Sequence, residues 1–133
     1  MARDKVTVLE PVQESTASVE VGVVTKKAVT VANGIEIVDA LANKNNSLQI
    51  TIENTYSSAD STLTIKAGDN YPNAMLGDLA VTLEKSKVTV IILEDISRFE
   101  NRDGSIYLDF SSAFTGNVWA VAKRAGMEAA ANQ

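Results

Sequence analysis

Alternation of apolar and polar residues is clearest between residues 48 and 69. Leu48, Ile50 and Ile52 alternate with polar residues, and after a polar break the alternation resumes at Leu63. A period of two sends successive side chains to opposite faces of a strand. The pattern therefore predicts two half-buried strands, and we interpret Leu48–Asp69 as an antiparallel hairpin with one face on the core.

Further strands are predicted by the same alternation and by runs of β-branched residues. The segments with this pattern are 19–31, 79–83, 106–110 and 118–121. Val88–Leu93 is apolar at nearly every position, which is typical of a strand covered on both faces. Turn dipeptides such as Asn33-Gly34 and Asp103-Gly104 separate the segments. Because no long amphipathic helix is evident, we predict an all-β fold: a single antiparallel β-sandwich or barrel-like domain.

The two ends of the chain differ in composition from the middle. The predicted divisions are an extended N-terminal arm at 1–18, a β-domain at 19–124 and a short, loose C-terminal tail at 125–133. Pro11 ends a short apolar alternation in the arm, since proline lacks the N–H that a ladder needs. Val6, Val8 and Leu9 are therefore candidate contacts with a partner across which the arm lies. The alternative is that the arm is an edge strand of the same domain.

Composition limits the chemistry that this chain can perform. Its 133 residues suit one domain, and they include no cysteine and no histidine. A Ser-His-Asp triad, a Cys-His pair and an ordinary zinc site are therefore excluded. The net charge of −5 disfavours nucleic acid as a partner, since phosphate binding needs a basic surface. We expect no enzyme activity, no cofactor and no metal site.

Targeting segments are not evident in the sequence. The charged N-terminus is followed by no apolar core of a signal peptide. Apolar runs such as Val90–Leu93 are far too short to span a bilayer. We therefore expect synthesis in the cytoplasm and no membrane partner.

Several polar and aromatic residues have both a functional and a structural interpretation. Asp69 and Asp78 lie in loops whose oxygen atoms suit calcium, although hydrogen-bonded turns are the default interpretation. Arg98 is expected to tie a turn to a carboxylate such as Asp109 or to stack on an aromatic ring. Trp119, together with the tyrosines, suits a sugar-binding platform, and core or interface packing is the alternative.

An ordered series of short motifs runs through the middle and C-terminal part of the chain. The motifs are Asn33-Gly34, Glu53-Asn54, T-I-K-A-G-D at 64–69, Gly77-Asp78-Leu79, V-x-V at 88–90, Leu93-Glu94, Ser97-Arg98-Phe99, Asp103-Gly104-Ser105-Ile106, Thr115-Gly116 and the strand Val118–Val121. Each motif is ordinary turn or strand chemistry. Their succession over residues 30–124 resembles a family of small tailed-bacteriophage head proteins, which are capsid decoration or auxiliary head proteins.

The resemblance implies a compact β-sandwich or barrel-like domain that binds the outer surface of a phage capsid and stabilises the shell. The implied partners are the phage major capsid protein and further copies of the chain, with a trimer favoured, and the implied location is the virion. The family carries no catalytic motif. Alternatives are another phage structural component (a head–tail connector or tail tube), a carbohydrate-binding or adhesin module, and a small hydrolase that uses carboxylates.

The segment after the predicted hairpin supplies a second candidate contact surface. The turn at Ala67–Asp69 is expected to place the residues that follow it beside the domain. Tyr71, Met75 and Leu76 are therefore candidate contacts with the capsid or with a neighbouring subunit.

Overall fold

The structure, a computed structural model, describes residues 3–9, 12–13, 20–38, 46–69, 73–93 and 98–124. Its strands are β1 (Asp4–Thr7), β2 (Val12–Gln13), β3 (Glu20–Val21), β4 (Lys27–Ala28), β5 (Ile35–Val38), β6 (Asn46–Asn54), β7 (Ser61–Ile65), β8 (Leu79–Leu83), β9 (Val88–Leu93), β10 (Ile106–Phe110) and β11 (Gly116–Arg124). A single helical turn, α1 (Asn73–Leu76), precedes β8.

The described strands form two sheets that pack against each other as a β-sandwich. Sheet A has the strand order β1-β5-β10-β7-β8, and sheet B has the order β4-β11-β6-β9. Pairing is antiparallel throughout sheet B, and in sheet A it is antiparallel except between β1 and β5. β2 and β3 pair as a separate two-stranded ribbon. The prediction of an all-β antiparallel sandwich or barrel-like domain is confirmed as a sandwich, and the parallel pair β1–β5 departs from it.

The core lies between the two sheets and accounts for the alternation in the sequence. In β10, for example, Ile106, Leu108 and Phe110 are buried, whereas Tyr107 and Asp109 between them are only partly buried. The other buried apolar residues are Val6, Ile35, Ile37, Leu48, Ile50, Ile52, Leu63, Ile65, Leu83, Leu93, Phe99, Phe114, Val118, Ala120 and Ala122. Burying one large aliphatic side chain contributes roughly 1.5–3 kcal/mol, so these facing rows hold the sheets together.

The prediction that Leu48–Asp69 forms a hairpin is wrong. β6 lies in sheet B between β9 and β11, whereas β7 lies in sheet A between β8 and β10. The chain therefore crosses from one sheet to the other between these strands. The side-chain period reports which face of a strand is buried, but it carries no information about which strand is the neighbour.

Asn54 anchors this crossing. Its side chain is buried, and its Nδ2 donates to the carbonyl oxygens of Leu83 and Glu84 at 3.2 and 3.3 Å. Its Oδ1 accepts a hydrogen bond from the backbone N–H of Tyr56 at 3.1 Å. One amide thus joins the end of β6 in sheet B to the end of β8 in sheet A.

The first part of the predicted arm is an edge strand of the domain. β1 pairs in parallel with β5, and Val6 is only 4% exposed. Arg3 donates to a carboxylate oxygen of Asp109 in β10 at 2.6 Å. For residues 3–9, the correct interpretation is therefore the edge strand and not the free arm. The predicted tail at 125–133 lies outside the described residues.

Leu9 joins this N-terminal segment to sheet B through backbone hydrogen bonds. The N–H of Leu9 donates to the carbonyl oxygen of Ala120, and the N–H of Ala122 donates to that of Leu9, both at 2.9 Å. Since Ala120 and Ala122 belong to β11, the segment that begins in sheet A ends on sheet B. It joins the two sheets along one side of the sandwich.

Candidate interaction surface

Sheet B turns one face away from the core, and exposed apolar side chains lie on it. We call this the outer face. Its residues on β6, β9 and β11 are Gln49, Thr51, Glu53, Val88, Val90, Ile92, Asn117, Trp119 and Val121. In register, Thr51 lies between Trp119 and Val90, and Gln49 lies between Val121 and Ile92. Thr51 and Gln49 are thus flanked on both sides by apolar residues, whereas Glu53 lies between Asn117 and Val88.

β9 is not covered on both faces, so that prediction is wrong. It is the last described strand on its side of sheet B, and Val88, Val90 and Ile92 are 56%, 50% and 58% exposed. Leu93, at the end of the same strand, is buried in the core. The apolar run therefore combines one core face with a second apolar face that no described residue covers. Soluble proteins usually protect an edge strand of this kind with charges, prolines or bulges.

The edge strand β8 of sheet A differs from β9 in the protection of its edge. Among the described strands, β8 is the last one on its side of sheet A. Its most exposed side chains are those of Ala80 and Thr82, which are small or polar. β9 instead presents three β-branched apolar side chains in a row, and this distinguishes it as an interaction surface.

A groove of about 400 Å³ opens beside Trp119. It is lined by residues 5–9 of the N-terminal segment, by residues 23–27, and by Trp119 and Ala120. The Nζ of Lys26 lies 5.5 Å from the centroid of the indole ring. Because this ammonium lies over one face of the ring, only the rest of the indole is available for stacking against a ligand.

Glu53 and its partners hold Lys26 in place. The carboxylate of Glu53 accepts a hydrogen bond from Nδ2 of Asn117 at 2.8 Å and lies 3.4 Å from Nζ of Lys26. The hydrogen bond from Asn117 is the main reason that the pKa of Glu53 lies below its ordinary value. Desolvation opposes this shift, and the charge of Lys26 reinforces it. The pair is exposed, so its contribution to stability is small.

The predicted contact residues of the N-terminal segment belong to the domain itself. Val6 lies in the core, so it is not available to a partner, and its prediction as a contact does not fit its burial. Val8 is partly buried and packs against the core. Leu9 is partly buried and bonded to β11. The alternation that suggested a binding arm instead reflects packing within one chain.

Met75 and Leu76, the contacts predicted after the turn, lie on α1 and are 72% and 58% exposed. Both are therefore accessible to a partner. Tyr71, the third residue of this prediction, lies outside the described residues.

Arg98 holds the turn after α1 against the domain. Its guanidinium donates hydrogen bonds to the carbonyl oxygens of residues 76–78 at 3.1–3.3 Å. It also lies 5.1 Å from the ring centroid of Phe99, which confirms the predicted aromatic contact. The suggested partner Asp109 is wrong, because that carboxylate pairs with Arg3.

The aspartates considered for calcium make hydrogen-bonded turns. The carboxylate of Asp78 accepts from the N–H of Ala67 at 2.7 Å and from Nζ of Lys66 at 2.9 Å. The bond from Ala67 is the main cause of the lowered pKa of Asp78. Asp69 accepts from the N–H of Arg102 at 2.8 Å. In the part of the chain that the structure describes, no group of three or more His, Cys, Asp or Glu residues is placed to hold a metal ion.

No family model, curated protein or solved structure matches this chain. The resemblance of residues 30–124 to phage head proteins therefore stays a prediction. Within the described segments, no helix is long and apolar enough to cross a membrane. Function has to be inferred from the surfaces of the sandwich: the outer face, the groove beside Trp119, and the exposed side chains of α1.

Sequence reasoning did not identify the exposed row Val88, Val90 and Ile92 as a surface. Apolar residues on both faces of a strand are typical of a buried strand, and the pattern is the same when one face is reserved for a partner. Charged residues lie next to the segment 88–93 in the sequence, and Lys85 and Lys87 precede it. Such charges are typical of a strand at the edge of a sheet, and they are the signal that could have suggested an edge here.

Proposed function

We propose that this chain is a non-enzymatic structural protein of a phage virion, which binds the outer surface of the capsid and stabilises the shell. The ordered motif series over residues 30–124 supports the phage assignment. The β-sandwich supports the compact domain that the resemblance implies. The observation that carries the binding role is the pair of exposed apolar side chains on α1, at Met75 and Leu76.

The α1 turn suits a contact surface because hydrogen bonds to the rest of the domain fix the backbone that follows it. Arg98 bonds three consecutive carbonyl oxygens at the end of this turn, and Asp78 bonds the N–H of Ala67. A turn that is already ordered loses less conformational entropy when it docks. Since a capsid presents the same site many times, weak contacts of this size add up over a shell through multivalency. The proposed partner is the phage major capsid protein.

A double substitution tests this contact. Met75→Ser with Leu76→Ser should leave the fold intact, since both side chains are exposed, but should abolish co-sedimentation with capsids of the encoding phage prepared without this chain. Ala80→Ser with Thr82→Ser is the matched control, because both residues are exposed on β8, outside α1, the groove and the outer face. Attachment equal to that of the wild type, with a correctly folded double variant, would rule out α1 as the contact.

Deleting the N-terminal residues is not a clean test of capsid binding. Val6 is part of the core, and Arg3 pairs with Asp109, so a truncation removes stabilising contacts as well as any partner surface. Loss of binding in such a variant would not separate folding from recognition. Localisation of the chain by electron microscopy of intact particles is the better companion experiment. Density at the head–tail connector or along the tail tube would favour those structural roles instead.

The groove beside Trp119 favours one second candidate, a carbohydrate-binding or adhesin module. An indole at the wall of a 400 Å³ groove suits stacking against a sugar ring. Trp119 is the single tryptophan of the chain, so intrinsic fluorescence reports directly on this groove. A saturable change in emission on titration with oligosaccharides is expected for such a module. Unchanged emission is expected for a capsid protein that does not use the groove.

A further inference from the structure

The open side of β9 presents backbone hydrogen-bonding groups as well as apolar side chains. The N–H of Asn54 donates to the carbonyl oxygen of Lys87 at 3.0 Å, so these residues form a hydrogen-bonded pair. Bonded and non-bonded pairs alternate along an antiparallel ladder. Val88, Val90 and Ile92 therefore occupy non-bonded pairs with β6. Their backbone N–H and C=O groups point to the side of β9 on which no described strand pairs.

We propose that β9 pairs antiparallel with β9 of a second copy of this chain, around a two-fold axis beside Val90. Val90 then faces Val90 of the second copy, and Val88 faces Ile92 of the second copy. Each of these facing pairs exchanges two backbone hydrogen bonds. The two B sheets become one continuous sheet, and the exposed apolar rows of the two chains lie side by side on its outer face.

The register follows from the side-chain pattern. Centring the pair on Val90 keeps all outward-facing side chains on one side of the joined sheet and all core-facing ones on the other. A shift by one residue would place outward-facing Val88 opposite the core-facing Ile91 of the second copy, which mismatches the two faces. A shift by two residues in either direction preserves the faces, but within β9 it leaves two hydrogen-bonded facing pairs where the centred register has three. The centred register is therefore the one with the most backbone hydrogen bonds.

The charges that flank β9 in the sequence favour a second copy of this chain, in antiparallel orientation, as the partner of this strand. β9 has no charged side chain, while Lys85 and Lys87 precede it and Glu94 and Asp95 follow it in the sequence. Antiparallel pairing of two identical strands puts the basic end of each beside the acidic end of the other. Parallel pairing would bring like charges together. The flanking charges thus make the strand complementary to itself.

This pairing goes beyond the proposed function and does not depend on capsid binding, which is assigned to α1. It is a two-fold association, whereas the oligomer that the family resemblance favours is a trimer. The mass of the protein in solution therefore distinguishes a dimer from a trimer. Sedimentation velocity of the full chain should give twice the chain mass of 14.2 kDa at high protein concentration. A monomer at every concentration, or a trimer, would overturn the proposal.

A lysine at the axis tests the surface. Val90→Lys places two ammonium groups opposite each other and should give a monomer at concentrations where the wild type is paired. Thr82→Lys is the control, since Thr82 is exposed on β8, an edge strand of sheet A, and this variant should remain paired. Circular dichroism checks that both variants are folded. Wild-type mass in folded Val90→Lys would show that β9 is not the interface.

A cysteine at the same position provides a readout that does not depend on weakening the pair. The chain contains no cysteine, so Val90→Cys introduces the single thiol. Facing residues of an antiparallel pair lie within the range of Cα separations that a disulfide spans. Mild oxidation should therefore give a disulfide-linked dimer of Val90→Cys and no such dimer of Thr82→Cys. Equal cross-linking of the two variants, or none of Val90→Cys, would contradict the proposal.

Discussion

Gly116→Ala is expected to destabilise the domain by about 2–4 kcal/mol, because it combines an unfavourable backbone conformation with a steric overlap. Gly116 has a φ of 150° and begins β11, directly opposite Asn54 of β6. A Cβ at this position would overlap the carbonyl oxygen of Glu53 and would lie 3.2 Å from the ring of Phe114. The backbone atoms cannot move without disturbing the ladder between the two central strands of sheet B. Urea denaturation followed by circular dichroism measures the loss.

Gly104→Ala separates the two causes. Gly104 also has a positive φ, of 83°, but a Cβ there meets nothing within 4 Å. This variant should lose only about 1 kcal/mol, which is the cost of a left-handed conformation for a residue with a Cβ. A similar loss in both variants would mean that the close approach to Glu53 contributes little.

The sequence predicted which face of each strand is buried better than it predicted which strands pair. Ile106, Leu108 and Phe110 alternate with polar residues, and all three are buried as the period of two requires. The same reasoning paired β6 with β7, although these strands lie in different sheets. Pairing joins strands that are far apart in the chain, such as β11 and β6. Local periodicity carries no information about such long-range contacts.

The turn at Asn54 illustrates the same limit. Glu53-Asn54 looked like an ordinary strand end, since asparagine is common in turns. In the structure its amide reaches the carbonyl oxygens of Leu83 and Glu84, at the end of a strand in the other sheet. A polar residue that is buried because it bonds a distant backbone cannot be distinguished from a solvated turn residue by sequence pattern alone.

The predicted contact residues also differ in how well the sequence indicated their exposure. Met75 and Leu76 were predicted as contacts from their position after a turn, and both are exposed. Val6 was predicted as a contact from its position in an apparent arm, yet it is buried. The difference in exposure arises from the neighbouring elements. β1 pairs in parallel with β5, so Val6 is covered, whereas no described residue covers Met75 and Leu76 on α1. Exposure of an apolar residue is decided by the packing of the whole domain.

Ile50→Ala is expected to lower the free energy of unfolding by about 3 kcal/mol, with a range of 2–5 kcal/mol for such core truncations. Ile50 is 0% exposed on β6, where it lies between Ala120 and Ile91 on the core side of sheet B. The substitution removes buried apolar surface and leaves a cavity that close-packed neighbours fill only in part. Urea denaturation measures the loss, which should be the same at low and high protein concentration.

Ile92→Ala in the same sheet is the matched comparison, because it makes the same change on the opposite face. Ile92 is 58% exposed, so at low protein concentration this variant should lose no more than about 0.5 kcal/mol. If two copies pair along β9, the loss should grow as the protein is concentrated, since association stabilises the folded state by mass action. A large loss from Ile92→Ala at low concentration would instead mean that the outer face is covered within the chain. The two isoleucines together thus separate packing inside the sandwich from association at its edge.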